Sequence, residues 1–125
     1  MVVLDASALL AQLFREPGHD RVDEALSTAC ISTVNLAEAF TKLVRDGIDL
    51  AAVIVDVEQS GLLVVPFDDV QAALAARLWP ETHGAGLSLG DRACLALAID
   101  RDLPVLTADR AWASLGIAVP VQLIR

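Results

Sequence analysis

Several residue types are scarce in this 125-residue sequence, and each scarcity excludes a class of protein. There are two cysteines and no tyrosine, and aromatic residues make up only 4%. Cys30 and Cys94 form neither a CxxC pair nor a Cys/His cluster of zinc spacing, which predicts two core thiols in a reducing compartment. No apolar run reaches the ~18 residues of a membrane-spanning helix. Met1 leads directly into an apolar stretch without the basic segment of a secretory signal, so we expect a cytoplasmic protein that does not associate with membranes.

Positive charge is scarce as well. Nine Lys and Arg residues stand against 17 Asp and Glu residues, which gives a formal net charge of −8. This sign disfavours a protein that holds nucleic acid mainly through phosphate contacts. A role on nucleic acid is still compatible with the composition if several carboxylates act as ligands of divalent cations.

Apolar residues, by contrast, are abundant. They make up 55% of the chain and raise its mean hydropathy to +0.57, enough for one core, and the length fits a single domain over residues 1–125. Short β-branched runs alternate with longer helical patterns, which predicts parallel strands, right-handed crossovers and a three-layer α/β/α sandwich. The predicted strands are 2–4, 30–32, 62–67, 104–107 and 121–124, and the predicted helices are 6–16, 18–28, 33–47, 49–60, 68–79, 93–99 and 108–116.

Four acidic residues lie at the ends or starts of these elements. Asp5 and Asp109 closely follow strands, Glu38 lies in the first turns of a helix, and Asp91 opens the apolar helix. Because the carboxyl ends of parallel strands share one edge of the sheet, we expect the four to meet there. Each also has a purely structural alternative: the aspartates can cap helices, and Glu38 can pair with Lys42 one turn later.

Asp91 is the hardest of the four to assign to a purely structural role. Ser88 and Asp91 have the spacing of a capping box, yet helical geometry places Asp91 on one stripe with Cys94 and Leu95. The expected result is a carboxylate facing an apolar layer, which is costly unless a cation compensates it. Oxygen ligands suit Mg²⁺ or Mn²⁺, and metal-assisted phosphoryl transfer is the natural use of such a cluster.

Four segments together resemble the PIN-domain ribonucleases, and more closely the VapC toxins of toxin–antitoxin pairs. They are "VVLDASALL", "STVNLAEA", "GLSLGDRACLALA" and "LPVLTADRAW". The resemblance implies a five-stranded parallel sheet of order 3-2-1-4-5 and a site formed by Asp5, Glu38, Asp91 and Asp109. It also implies Mg²⁺ or Mn²⁺ as cofactor, endonucleolytic cleavage of an RNA such as tRNA or rRNA, and inhibition by a VapB-type antitoxin. A homodimer, and a heterotetramer or larger assembly with the antitoxin, are implied too.

Supporting residues have two open interpretations. Ser7 and Thr107 match positions where the family often has a hydroxyl that can orient a carboxylate or water, but local backbone hydrogen bonds account for them equally well. Asn35 fits either a similar supporting role or the start of a helix. The roles of four further residues stay open: Arg92, Arg110, Trp79 and Trp112.

The remaining polar motifs are weaker. His19 and His83 lie in loop-like sequence without a Ser or Cys partner, which disfavours acid–base catalysis by histidine. The segment 80–88 lacks the Lys-Ser/Thr ending of a phosphate-binding loop and is predicted to be a flexible rim.

Two alternative functions are also compatible with a small, acidic α/β chain. One is a PIN fold that binds partners without catalysis. The second is a phosphoacceptor domain of the response-regulator type, with Asp68 or Asp69 as acceptor. The phosphoacceptor alternative is weak because the only lysine, Lys42, is not after the last strand.

Overall fold

The protein is described by a computed structural model that covers residues 1–125. Its centre is a five-stranded, all-parallel sheet of order β3-β2-β1-β4-β5, which confirms the predicted topology. A response-regulator domain has the order 2-1-3-4-5, so this sheet excludes that alternative. The strands are β1 (Val2–Leu4), β2 (Ala29–Ser32), β3 (Leu63–Val65), β4 (Val105–Thr107) and β5 (Val121–Leu123).

Helices connect the strands, and five of them begin at a side chain that caps the first turn. Asp5 caps α1, Ser32 caps α3, Asp49 caps α4, Asp68 caps α5 and Ser88 caps α7, each accepting a backbone N–H. No helix is both long enough and apolar enough to cross a membrane. The helices are α1 (Ala6–Phe14), α2 (His19–Ala25), α3 (Thr33–Arg45), α4 (Leu50–Gln59), α5 (Asp69–Arg77), α6 (Trp79–Thr82) and α7 (Leu89–Arg101).

The two faces of the sheet carry separate halves of the core. Leu4 and Ile31 face the cluster that packs against α1 to α4. Val3, Cys30 and Val105 face the opposite cluster, to which α7 contributes. This alternation follows from the two-residue period of a strand, and it buries the central strands on both faces.

Apart from shifts of a few residues at the ends of helices, three regions differ from the sequence prediction. Segment 108–116 forms only a 3-10 helix, Arg110–Ser114, a form that is common in short connecting segments. The strand predicted at 62–67 stops at Val65, since proline at 66 has no N–H to donate. The supposed loop 80–88 is largely ordered, with most of α6 and the 3-10 turn His83–Ala85 inside it.

Candidate metal-binding site at the carboxyl edge of the sheet

Asp5 lies at the centre of the site, where β1 and β4 end side by side. Asp5 is 4% exposed, and its carboxylate accepts three hydrogen bonds. Thr107 Oγ1 donates to Oδ2 at 2.6 Å, while Ser7 Oγ and the Ala8 N–H donate to Oδ1 at 2.7 and 2.9 Å. Burial raises the pKa of Asp5 above 3.8, the three hydrogen bonds oppose that rise, and the Asp91 charge adds to it.

Ser7 and Thr107 form a small hydroxyl network around this carboxylate. The two hydroxyl oxygens lie 3.3 Å apart. Ser7 Oγ also accepts the Ala108 N–H, and Thr107 Oγ1 accepts the Asp109 N–H, each at 3.0 Å. The hydroxyls therefore join β1 to the chain that leaves β4, so the orienting and the backbone-bonding interpretations of these residues both hold.

Glu38 reaches the site from α3 and contacts α7. Asn35 Nδ2 donates to Glu38 Oε1 and to the Gly90 carbonyl, both at 2.9 Å, and these two acceptors fix the orientation of the amide. Asn35 is 1% exposed, and its Oδ1 has no hydrogen-bond partner. Burial raises the pKa of Glu38, the Asn35 hydrogen bond lowers it, and the Asp91 and Asp5 charges raise it further. The structure holds two ion pairs, both at Asp23, so the alternative pairing of Glu38 with Lys42 does not form.

The prediction that the Asp91 carboxylate faces an apolar layer is wrong. Asp91 Oδ2 accepts the Ser88 N–H at 2.9 Å, while Ser88 Oγ accepts the Asp91 N–H at 3.2 Å, which completes a capping box at the solvent-accessible start of α7. The helical stripe does not set the direction of this side chain, because the first turn of a helix has free N–H groups that draw it back toward them. Cys94 and Leu95 further along α7 are fully buried as predicted.

Asp109 is connected to the other acids indirectly. Its Oδ1 accepts the Ala111 N–H at 3.0 Å, and its own N–H reaches Asp5 only through Thr107. Its side chain is exposed, at the start of the 3-10 helix.

The spacing of these acids determines how they can hold a metal ion. No three His, Cys, Asp or Glu side chains converge with ligand spacing. Glu38 Oε2, Asp91 Oδ1 and Asp109 Oδ2 nevertheless have no protein donor, so each of these three acids keeps one free oxygen. Because the negative charges of Asp5 and Asp91 raise the pKa of Glu38, a cation would be stabilised among them. The donor set therefore suits a hard divalent ion.

Sequence reasoning missed one residue of the site, Gly90. A Cβ at this position would lie 2.3 Å from Glu38 Oε1, so any residue other than glycine would clash with the carboxylate in its observed position. The one signal in the sequence is a glycine inside a helical pattern, in "SLGDR", which costs about 1 kcal/mol relative to alanine but does not say what requires it.

The four residues of open role now have places in the fold. Arg92 Nη1 donates to the Ala75 carbonyl and so ties α7 to α5, while Arg110 is exposed. Trp112 is 1% exposed and belongs to the core, which removes it as a surface for stacking a base. Trp79 is 54% exposed and stacks on the His83 ring at 4.1 Å.

Comparison with known proteins identifies the family. The sequence-family model of the PIN domain matches residues 2–117. The chain belongs to the PIN-domain family. No curated protein sequence matches it.

Solved PIN-domain structures align with nearly the whole chain. DNA-bound VapBC from Salmonella typhimurium has 20% identity and a TM-score of 0.74, with both chains covered completely. Mycobacterium tuberculosis VapC20, described as a toxin that cleaves the sarcin-ricin loop, has 17% identity and a TM-score of 0.75, with coverage of 96% of this chain and 100% of that one. VapBC-5 from the same organism has 29% identity and a TM-score of 0.64, with coverage of 99% and 97%. These similarities agree with the PIN fold seen here.

Proposed function

We propose that this protein is a metal-dependent endoribonuclease toxin of the VapC type, which hydrolyses phosphodiester bonds of a structured RNA such as tRNA or rRNA. The observation that carries the proposal is the meeting of acidic side chains at the carboxyl edge of a PIN-fold sheet, where Thr107 links Asp5 to Asp109 and Asn35 links Glu38 to the start of α7. The toxins among the similar structures, one of them described as a sarcin-ricin loop cleaving toxin, support RNA as the substrate.

The residues that would hold Mg²⁺ or Mn²⁺ are Asp5, Glu38, Asp91 and Asp109. A bound ion supplies a polarised water and stabilises charge on the scissile phosphate. Ser7 and Thr107 fix Asp5 before substrate arrives, which reduces the reorganisation needed during reaction. Asn35 fixes Glu38 against α7 in the same way.

The test is RNA cleavage by the purified chain with Mg²⁺, with Mn²⁺ and with EDTA. We expect Asp5→Asn and Glu38→Gln to lower the rate by more than about 100-fold, the upper range for residues that only support a metal ligand. Asp68→Asn is the matched control, because Asp68 also caps a helix but lies outside the site. Equal residual cleavage by wild type and both site variants would indicate a contaminating nuclease and refute the proposal. It would leave the non-catalytic binding module as the better interpretation.

We also propose a VapB-type antitoxin as partner, a homodimer of the toxin, and a heterotetramer or larger complex. Several similar structures are described as toxin–antitoxin or VapBC complexes, which supports the first of these. Expression of the chain alone should arrest growth, and the product of an adjacent reading frame should relieve the arrest. Light scattering of the free and co-purified proteins measures the assembly. A chain that stays monomeric alone and with that product would contradict this part of the proposal.

A further inference from the structure

Two basic residues near the end of α3 have no bonding partner, whereas four of the eight arginines have one. Arg15 pairs with Asp23, and three more arginines donate to backbone carbonyls. Lys42 and Arg45 have neither an ion pair nor a side-chain hydrogen bond, and both are exposed. In a chain of net charge −8, these two residues place two positive charges within one turn of a single helix.

These two cations line a groove that begins at the candidate metal site. The groove has a volume of about 790 Å³, and Glu38, Lys42 and Arg45 are all in its wall. At 1.5 Å rise per residue, Lys42 lies about 6 Å and Arg45 about 10.5 Å beyond Glu38 along the helix axis. A strand of nucleic acid whose scissile phosphate sits at the carboxylates would therefore place its neighbouring phosphates beside the two cations.

Two other roles are open to these side chains: interaction with the helix dipole and binding of a protein partner. Both residues are in the last turns of α3, where positive charge interacts favourably with the dipole. The groove also adjoins an apolar recess lined by Phe40, Val44 and Leu50, which would suit a protein segment. The dipole accounts for where the charges lie on the helix, and the Asn35 hydrogen bond accounts for why Glu38 leaves Lys42 unpaired. Neither accounts for a groove whose wall contains Glu38 and both cations.

We propose that Lys42 and Arg45 form a phosphate-binding track that holds the RNA strand on one side of the scissile bond. The inference rests on the proposed function and adds to it the residues that position the substrate. The charge complementarity between these cations and a phosphate backbone favours RNA over a peptide as the occupant. Phosphate groups are the same at every nucleotide, so the track contributes to the affinity for RNA and does not select the sequence that is cleaved.

The test measures RNA binding separately from cleavage. Glu38→Gln serves as the background, because the glutamine can still accept the Asn35 hydrogen bond while the charge is removed. Binding of a fluorescent, mixed-sequence single-stranded RNA is titrated at fixed Mg²⁺ and increasing KCl. Lys42→Gln and Arg45→Gln are each added to this background. Arg101→Gln is the matched control, since Arg101 is exposed at the end of α7 far from Asp91.

We expect each track substitution to weaken binding by up to about fivefold at moderate salt. The slope of log K against log salt should fall by about 0.7 per lost phosphate contact. Arg101→Gln should change neither value. In the catalytically intact chain, the same substitutions should raise KM and leave kcat unchanged.

Two outcomes would overturn the inference. One is an unchanged salt slope when Lys42→Gln and Arg45→Gln are combined in the Glu38→Gln background, which would leave only the interaction with the helix dipole. The second is unchanged RNA binding together with weakened binding of an antitoxin, which would assign the groove to a protein. Loss of RNA binding in a chain that never cleaves RNA would refute the proposed function and still support the track.

Discussion

Replacing Gly90 with alanine would insert a methyl group into space that the Glu38 carboxylate occupies. The added Cβ would lie 2.3 Å from Oε1, 2.4 Å from Cδ and 2.5 Å from Oε2 of Glu38. Carbon atoms in favourable contact are roughly 3.5 Å or more apart, so the carboxylate must move by about 1 Å or more. That movement would break or lengthen its hydrogen bond with Asn35.

The expected effect is a loss of function without a loss of stability. A displacement of about 1 Å in a catalytic group can cost roughly 100-fold in rate, equivalent to about 2.7 kcal/mol of activation free energy. Gly90 lies within α7, where alanine is favoured over glycine by up to about 1 kcal/mol. The displaced group is the end of an exposed, flexible side chain, so the clash can be relieved without moving the backbone.

The assay combines three measurements on Gly90→Ala: the single-turnover cleavage rate, the Mn²⁺ affinity by calorimetry, and the thermal unfolding midpoint. Gly84→Ala is the control, because a Cβ at residue 84 would meet no atom within 4 Å. We expect the rate and the Mn²⁺ affinity to fall in Gly90→Ala alone, with both midpoints at or above the wild-type value. Wild-type rate and affinity in Gly90→Ala would refute the reasoning.

Three further predictions concern stability and reactivity. Burial holds the pKa of Asp5 above 3.8, so the ionised carboxylate lowers the free energy of unfolding. In urea unfolding without metal, Asp5→Asn should therefore be more stable than wild type near neutral pH. This gain should vanish below pH 3.8, where the carboxyl group is protonated in both the folded and the unfolded chain. A constant difference across the pH series would contradict this. Leu97→Ala should lower the free energy of unfolding by about 2 to 5 kcal/mol, whereas Leu89→Ala, at a 59% exposed position, should stay within about 0.5 kcal/mol. Burial raises the pKa of Cys30 and of Cys94, so iodoacetamide followed by mass spectrometry should label neither thiol before unfolding, and rapid labelling of the native chain would show that the thiols are accessible.

The sheet could be predicted because its signals are local and repeated. Each buried strand is a short β-branched run, and the alternation with helices leaves few parallel topologies. The strand order itself came from the family resemblance, since periodicity alone does not say which strands are neighbours. The 3-10 helix at Arg110–Ser114 replaces a predicted α-helix, because sequence patterns do not distinguish a single short turn from a longer helix.

For the site, the sequence predicts which side chains follow each strand. Asp5 and Thr107 face each other because their strands are paired in register, so the network between them follows from the topology. The contact of Glu38 with Gly90 joins α3 to α7 and depends on how closely those helices pack. Local sequence patterns do not determine the distance between α3 and α7. The need for glycine at residue 90 and the hydrogen bonds of Asn35 therefore cannot be predicted from the sequence.

The acids illustrate why a structural and a chemical role of one residue need not compete. Asp91 and Asp109 each use one carboxylate oxygen to cap a helix and keep the second oxygen without a protein donor. Helix N-termini lie at the carboxyl edge of a parallel sheet, where ligands also bind, so capping and ligation call for the same position. The cap holds the carboxylate in a fixed direction before any cation arrives. A capping role for these aspartates therefore supports a metal site, because it provides the preorganised oxygen that the site requires.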